Sequence, residues 1–519
     1  MPLPEQNTPW PPPGHGDIQR EFRVWDAWYT GDRDMLASVY RGMGGALLPA
    51  GYREFSSQHR GGVVGAIARF FWGEPRANDH QRSPKLHVPV AADIATTSAN
   101  LLFGQPPTLT VEDTGTQDRL NELFDDDTWA QLLVAAELRS GLGGVYLRVG
   151  WDEAVADRPL LSVIGPDAAY PSFAWRTLAE VLFCWTLRVD SNTYLRHLEL
   201  HLRGRVEHAL YLGDGGNLGR QVPLTEHPST AELPVDAEGG IATGLDDRLD
   251  VIYVPNKPNR AWRNDPVGTN LGRPDISGVE PLLDALDEAW TSWMRDVRLA
   301  KARAVTGQAW LDNLGPGKGA MFDLDQELFV GLNVPPGTGV KPVELIQAAI
   351  RHEAHAATCS ALLERVIDGA GYSAQTFGLT GEVAMTATES DARERKTGQT
   401  RAAATRVVRP RLAELAETML IIDKANLGGK ATPARPAVEF PPTFRPNPEA
   451  LARTAQLWDA AGAASVAERV RLIHPDWTGD QVDAEVVLIV GEQPASLADP
   501  MAVFDQLDPA TEQGTTGGS

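Results

Sequence analysis

Cysteine is almost missing from this chain: there are two in 519 residues, Cys184 and Cys359. Far apart in sequence, they make neither a disulfide framework nor a zinc ligand set, which fits a reducing cytoplasm. Long apolar runs are missing as well. The best, VVGAIARFFW and EVVLIV, fall far short of the roughly 20 residues a membrane helix needs, and Arg69 interrupts the first. The opening MPLPEQNTPWPPPG has neither a basic start nor an apolar centre, so no signal peptide is expected. Basic residues are in deficit: 47 Lys and Arg against 69 Asp and Glu leave a formal charge of −22. Such a chain is not a simple nucleic-acid clamp, which would neutralise phosphates with a basic surface. The acidity serves solubility, or it marks a surface that must not grip DNA.

Recognisable catalytic motifs are missing too. GPGKG at 315–319 invites a phosphate-loop reading, but the first glycine of that motif is replaced by Asp312 and Lys318 is followed by Gly319. GDGGNLG at 213–219 misses the dinucleotide spacing and lies between strand-like runs, as a hairpin loop would. His352 and His355 share a helical face, yet HEAH is not H-E-x-x-H and no third ligand stands out. No G-x-S-x-G elbow occurs. Asp125, Asp126 and Asp127 stand ahead of a helix, where acids favour its N-terminus. No catalytic residue, metal site or cofactor is expected.

What the chain does have is a seam. From Ile276 through Val279, Leu283, Leu286, Trp290, Trp293 and Val297 to Ala300 and Ala304, apolar residues alternate at spacings of three and four. Gly272 and Pro274 precede it, with Asp275 or Ser277 as caps. A continuous helix here would be a rod of roughly 43 Å. It is either a pillar in an assembly or a long core helix of one domain.

Around the seam the pattern is mixed. Six prolines among the first fourteen positions predict a disordered arm over 1–16. Helices are expected over 17–45, with anchors Phe22, Trp25, Trp28 and Tyr29, over 88–103, and over 127–140. From Val145 the period becomes two: VYLRV, LLSVI, VLFCWTLRV, YLRHLELHLR, VEHALYL and VIYV read as strands. In HLELHL, Leu198, Leu200 and Leu202 alternate with Glu199, His201 and Arg203, which predicts an antiparallel meander wet on one face. A Gly/Pro-rich excursion fills 306–342. A second helix is expected over 343–368, a glycine-rich break follows, and a third helix covers 383–422. ARPAVEFPPTFRPNP reads as extended, and two or three helices follow it.

This order of segments resembles the portal proteins of tailed double-stranded DNA phages, in particular the long-tailed, actinobacteriophage-like type. The resemblance is carried by WDAWYTGDRDMLASVY at 25–40, LHVPVAADIATTSANLLFGQPPTL at 86–109, SGLGGVYLRVGWD at 140–152 and VPNKPNR at 254–260. It continues through GRPDISGVEPLLDALDEAW at 272–290, AGYSAQTFGLTGEVAMTATESDARERKTGQT at 370–400 and HPDWTGDQVDAEVVLI at 474–489. It rests on the ordered set, since no single segment has the specificity of a metal motif.

The resemblance implies an α+β fold: a mixed α/β wing, a long-helix stem, a small clip and a mostly helical C-terminal crown. The wing would be 17–271 with 383–450, the stem 272–305 and 343–369, the clip 306–342, the tunnel loop 370–382 and the crown 451–519. Stem packing would fall to Ile276, Val279, Leu283, Leu286, Trp290, Trp293 and Val297. The clip would dock partners through Lys318, Phe322, Asp323, Asp325, Glu327 and Phe329. The loop would face DNA with Gly371, Tyr372, Ser373, Gln375, Phe377 and Thr380. It further implies a homo-dodecamer at one capsid vertex of the virion, assembled in the host cytoplasm, with no membrane. Duplex DNA would pass through without sequence readout. Partners would be the large terminase, the head–tail adaptor, and the major capsid and scaffold proteins. The alternatives are another phage structural or scaffold protein, against which the strand-rich 145–254 block argues, and a packaging ATPase, which would need the missing phosphate loop.

Overall fold

The computed structural model describes residues 3–46, 85–300, 303–306, 343–346, 350–379, 387–442, 448–474 and 477–492. The fold is α+β, as expected. The chain divides into two compact units, residues 1–383 with 393–441, and residues 384–392 with 442–519.

In the first unit, α1 (Gly16–Thr30) and α2 (Arg33–Ala46) replace the single helix expected over 17–45. The break is at Gly31, a left-handed residue that closes α1 by donating its N–H to Ala27 O. Next come α3 (Val90–Phe103), β1 (Thr108–Thr110), α4 (Thr114–Leu123) and α5 (Asp126–Leu142). Asp125 caps α5 by accepting from the Thr128 N–H. Gly143 ends it with φ 90°, where a Cβ would stand 2.8 Å from the Arg273 carbonyl carbon. No larger residue fits there.

The strands follow: β2 (Gly144–Gly150), β3 (Leu160–Ile164), β4 (Ala169–Ala174), β5 (Thr177–Asp190), β6 (Thr193–Leu202), β7 (Arg205–Gly213) and β8 (Arg220–Val222). A short turn of helix, α6 (Pro228–Ala231), then leads to β9 (Gly240–Ala242), β10 (Val251–Pro255), β11 (Lys257–Pro258) and β12 (Gly272–Arg273). Two larger antiparallel sheets result, one ordered β10-β2-β3 and the other β4-β5-β6-β7-β8 with β9 also on β7, and β11 pairs with β12. The small sheet is buried on both faces. Val145, Leu147 and Val149 point into a core shared with α4 and α5, while Tyr146 packs with Phe183 of the large sheet. The two faces of the VYLRV alternation therefore meet two different cores.

The large sheet differs from expectation. Its leucine face is covered by the N-terminal segment: Trp10 packs on Tyr170 with ring centroids 4.8 Å apart, and Tyr211 donates its hydroxyl hydrogen to Pro4 O. Residues 3–15 are therefore a packed strap, not a free arm. The opposite face is not wet. Glu199 and His201 are 5% and 1% exposed, because the small sheet lies over them and brings Arg148 to Glu199 at 2.6 Å.

The seam forms α7 (Glu280–Leu299), shorter than the expected rod at about 30 Å. Gly278 at φ 96° and Pro281 in the first turn set its start. Beyond α7 the chain changes to strand: β13 (Arg303–Thr306) pairs antiparallel with β14 (Val343–Ile346). The helix expected from 343 instead begins as α8 (His352–Ala370), and the third helix is α9 (Ala387–Asn426), which runs through Pro410. β15 (Ala437–Glu439) pairs with β1. The second unit holds α10 (Pro448–Ala460), α11 (Val466–Ile473) and α12 (Gly479–Glu492), with Ala455, Val470 and Val482 buried. Among the described residues, no helix is long and apolar enough to cross a membrane.

Candidate functional site

Three places gather the side chains that matter. The first is the α7–α8 pair. His355, near the start of α8, reaches Asp296, near the end of α7, at 2.9 Å, and Arg351 pairs with the same oxygen at 2.9 Å. Together these partners hold the Asp296 carboxyl below its usual range. Trp293 stacks on His355 with the rings 5° from parallel, and Trp290 stacks on Trp293. At the other end of the pair, Gly369 of α8 lies against Val279, so closely that a Cβ there would fall 2.5 Å from the valine side chain. The two helices thus run antiparallel along their length. Between them in the sequence lies the β13–β14 ladder, in which Thr306 pairs with Val343.

The seam residues divide between two roles. Ile276, Val279, Leu283 and Leu286 are buried in the chain's own core beside Trp28, Leu36, Ile94 and Val366. Asp287 of α7, 1% exposed, accepts from Tyr40 Oη at 2.6 Å and the Val88 N–H at 2.9 Å. The first half of the seam is therefore a core helix of this chain, and a neighbour would find only its second half. Trp290 and Trp293 are partly buried, and Val297 is 39% exposed.

The second place is the turn after α8. Gly371 takes φ 102°, and its N–H and that of Tyr372 close α8 in a C-terminal cap. Tyr372, expected to face DNA, is instead 1% exposed. Its hydroxyl donates to Asp275 at 2.7 Å, and Phe377 meets its ring edge-on. The Ser373 N–H donates to Thr397 Oγ1. Gln375 and Phe377 are half-buried. The described turn is a packed wall, because its aromatic residues fill the core that α7 and α8 share. Thr380 of the expected loop lies outside the described residues, as do Lys318, Phe322, Asp323, Asp325, Glu327 and Phe329 of the expected clip.

Asp275 organises this wall. It accepts from Ser140 Oγ at 2.5 Å, Asn256 Nδ2 at 2.9 Å and Lys257 Nζ at 2.7 Å, as well as from Tyr372. Burial alone would raise its pKa. Lys257 and the other donors outweigh burial and hold it below the usual carboxylate range. Beside it opens a cavity of about 390 Å³ lined by Arg139, Lys257, Tyr372, Lys396 and Arg401. The turn itself carries no basic residue, but its surroundings do. Lys396 is satisfied by the Asp368 carboxylate and carbonyl, and Arg139, 2% exposed, donates through Nε to Pro255 O.

The third place was missed by sequence reasoning altogether. On the covered face of the large sheet, His201 sits between Asp250 at 2.8 Å and Glu199 at 2.7 Å. Burial pulls the His201 pKa down, but the two carboxylates outweigh it and hold it up at about 9. Burial likewise raises Glu199, and the His201 and Arg148 cations outweigh that and hold it well below the usual carboxylate range. Next to them, His197 Nε2 and His208 Nδ1 are 3.2 Å apart with nearly parallel rings. Burial lowers both histidines, His208 to about 4. His197, Glu199 and His208 each bring one ligand atom within 4.8 Å of the others. The available signal was H-x-E on a strand, which puts both side chains on one face, with a histidine in the adjoining strand.

No family model and no curated protein matches this chain. Among solved structures, it is similar at 13% identity to a chain of the virion of a native gene transfer agent particle, covering 79% of this chain and 99% of that one with a TM-score of 0.35. A chain in the neck of the native particle, computed with C12 symmetry, gives 14% identity, coverage of 80% and 99%, and a TM-score of 0.35. One in the neck of the empty particle, computed with C6 symmetry, gives 14%, coverage of 83% and 96%, and 0.38. Likeness at this level carries no inference about what this chain does.

Proposed function

We propose that this chain is the portal subunit of a tailed double-stranded DNA phage, a virion protein that assembles as a homo-dodecamer at one capsid vertex. The ring is the channel for packaging and ejection, and it docks the large terminase and the head–tail adaptor. It performs no catalysis of its own. The observation that carries this reading is the antiparallel α7–α8 pair ending in the β13–β14 ladder. Two helices bound along their length and closed by a ladder make a stalk whose tip is the ladder, and residues 307–342 join its two strands in the sequence. A ring of such stalks puts the tips at one end, where partners dock. The ordered segment resemblance supplies the identity of the assembly.

Two further features agree with a conduit. A ring made from chains of formal charge −22 is strongly acidic, so phosphates passing through it meet few strong sites. Each subunit contact would be heterologous and close by rotation. In the sequence that joins the two strands, Asp323, Asp325 and Glu327 neighbour Phe322, Leu324 and Phe329, a mixture that can pair by charge and by apolar contact. The test is charge reversal of the three acids to lysine in assembled rings. Rings are expected to persist while terminase and adaptor binding weakens. Normal binding of both partners would move the docking site elsewhere.

A further inference from the structure

The large sheet carries a group of polar side chains for which the conduit role has no use. Glu199 of β6 stands directly opposite His208 of β7, and His197 lies two residues from Glu199 on the same face. All three are buried, at 9%, 5% and 8% exposure for His197, Glu199 and His208. We propose that these three residues bind one divalent transition-metal ion of the zinc class, which clamps β6 to β7.

The donor set and its spacing support this. Two imidazole nitrogens and one carboxylate oxygen suit zinc or cobalt, whereas calcium and magnesium require more oxygens. With metal–nitrogen bonds of about 2.0–2.1 Å, two ligands of a tetrahedral ion stand roughly 3.3 Å apart. His197 Nε2 and His208 Nδ1 are already 3.2 Å apart, so neither ring has to move far. The carboxylate oxygen lies within 4.8 Å of both nitrogens and so has to close by at most about 1.5 Å, which small rotations of the glutamate side chain can supply.

The surroundings orient the carboxylate. Arg148 Nη1 at 2.6 Å and His201 Nε2 at 2.7 Å both fall on Glu199 Oε1. That leaves Oε2 for the ion. His201 is fixed in turn by Asp250, which accepts at its other nitrogen. Such buttressing of a ligand usually changes metal affinity by about 10- to 100-fold. Three protein ligands leave a fourth position for water. The alternative is a self-contained pair of hydrogen-bonded histidines that never meets a metal.

The experiment uses the full, tag-free chain, stripped with chelator and titrated with Zn²⁺ and separately with Co²⁺. One ion per chain should bind, and the cobalt form should show the intense visible bands of a four- or five-coordinate site. His197→Gln with His208→Gln should lower occupancy at least tenfold at matched free zinc, while His352→Gln, at an exposed histidine far along the sequence, should not. If the double variant fails to fold, hydrogen exchange on the wild-type chain decides: zinc should slow exchange in β6 and β7, and Mg²⁺ should not. Binding that is equal in wild-type and double variant, equal loss in His352→Gln, or unchanged exchange with zinc would overturn the proposal.

Discussion

Replacing Tyr372 with Phe removes one oxygen and leaves the ring in place. In the wild-type chain that oxygen donates to Asp275 at 2.7 Å, with the tyrosine 1% and the aspartate 2% exposed. A hydrogen bond to a buried charged group contributes about 1.5–3 kcal/mol. At 1.4 kcal/mol per factor of ten, opening of the turn should become about 10- to 150-fold easier. The remaining anchors are backbone bonds, from the Gly371 N–H to Asp368 O and from the Tyr372 N–H to Ile367 O, and the Ser373 N–H bond to Thr397 Oγ1. Those three amides are therefore the reporters. Hydrogen exchange followed by mass spectrometry should show them exchanging faster by that factor, with β5 and β6 unchanged. Local exchange is the right assay because a chain of two compact units need not unfold in one step. Acceleration below about threefold would mean that Tyr372 is not seated on Asp275, and the packed-wall description of the turn would fail.

Acid should act on the same seat. Asp275 has a folded pKa held below its unfolded value, so its stabilisation is present above roughly pH 4 and is lost as pH falls through the depressed folded pKa. The opening constant of 371–373, obtained by dividing the exchange rate by the intrinsic amide rate at each pH, should rise across that window in the wild type, and Asp275→Asn should flatten that acid limb; an unchanged limb would contradict the assignment. Replacing Trp290 and Trp293 with Asp should remove the stacked column against His355, at a cost below the about 3–5 kcal/mol of fully buried large rings, and abolish rings while the sheets still fold. Native mass spectrometry with rings unchanged would count against the stalk. Gly143→Ala should cost at least about 2 kcal/mol, since it forces a left-handed residue and a clash with Arg273. A thermal shift within error would show that the α5–β2 corner can relax.

Much of the first unit was legible because its signals are local. Period-two runs marked β2, β3, β5, β6, β7 and β10 to within a few residues, and the Asp125–Asp127 run marked the start of α5. What escaped depends on partners far along the chain. The polar face of β6 looks wet until Arg148 arrives from β2, 51 residues away. Tyr372, set among glycines and serine, looks like a solvent-facing loop residue, and only Asp275, 97 residues earlier, buries it. The seam spacing continues through Ala300, which caps α7, to Ala304, which already lies in strand β13. Spacing of small residues cannot distinguish a helix from the ladder that Val343–Ile346 completes. The N-terminal prolines suggested disorder on composition alone, yet Trp10 and Pro4 find fixed places on the leucine face of the large sheet.

The central claim is that these stalks stand in a ring, and the most direct measurement is cryo-electron microscopy of the purified full chain with class averages down the particle axis. The account predicts a closed annulus of twelve subunits, each of 56.2 kDa, with an open central channel. A preparation holding only monomers, open filaments or solid rods would contradict it.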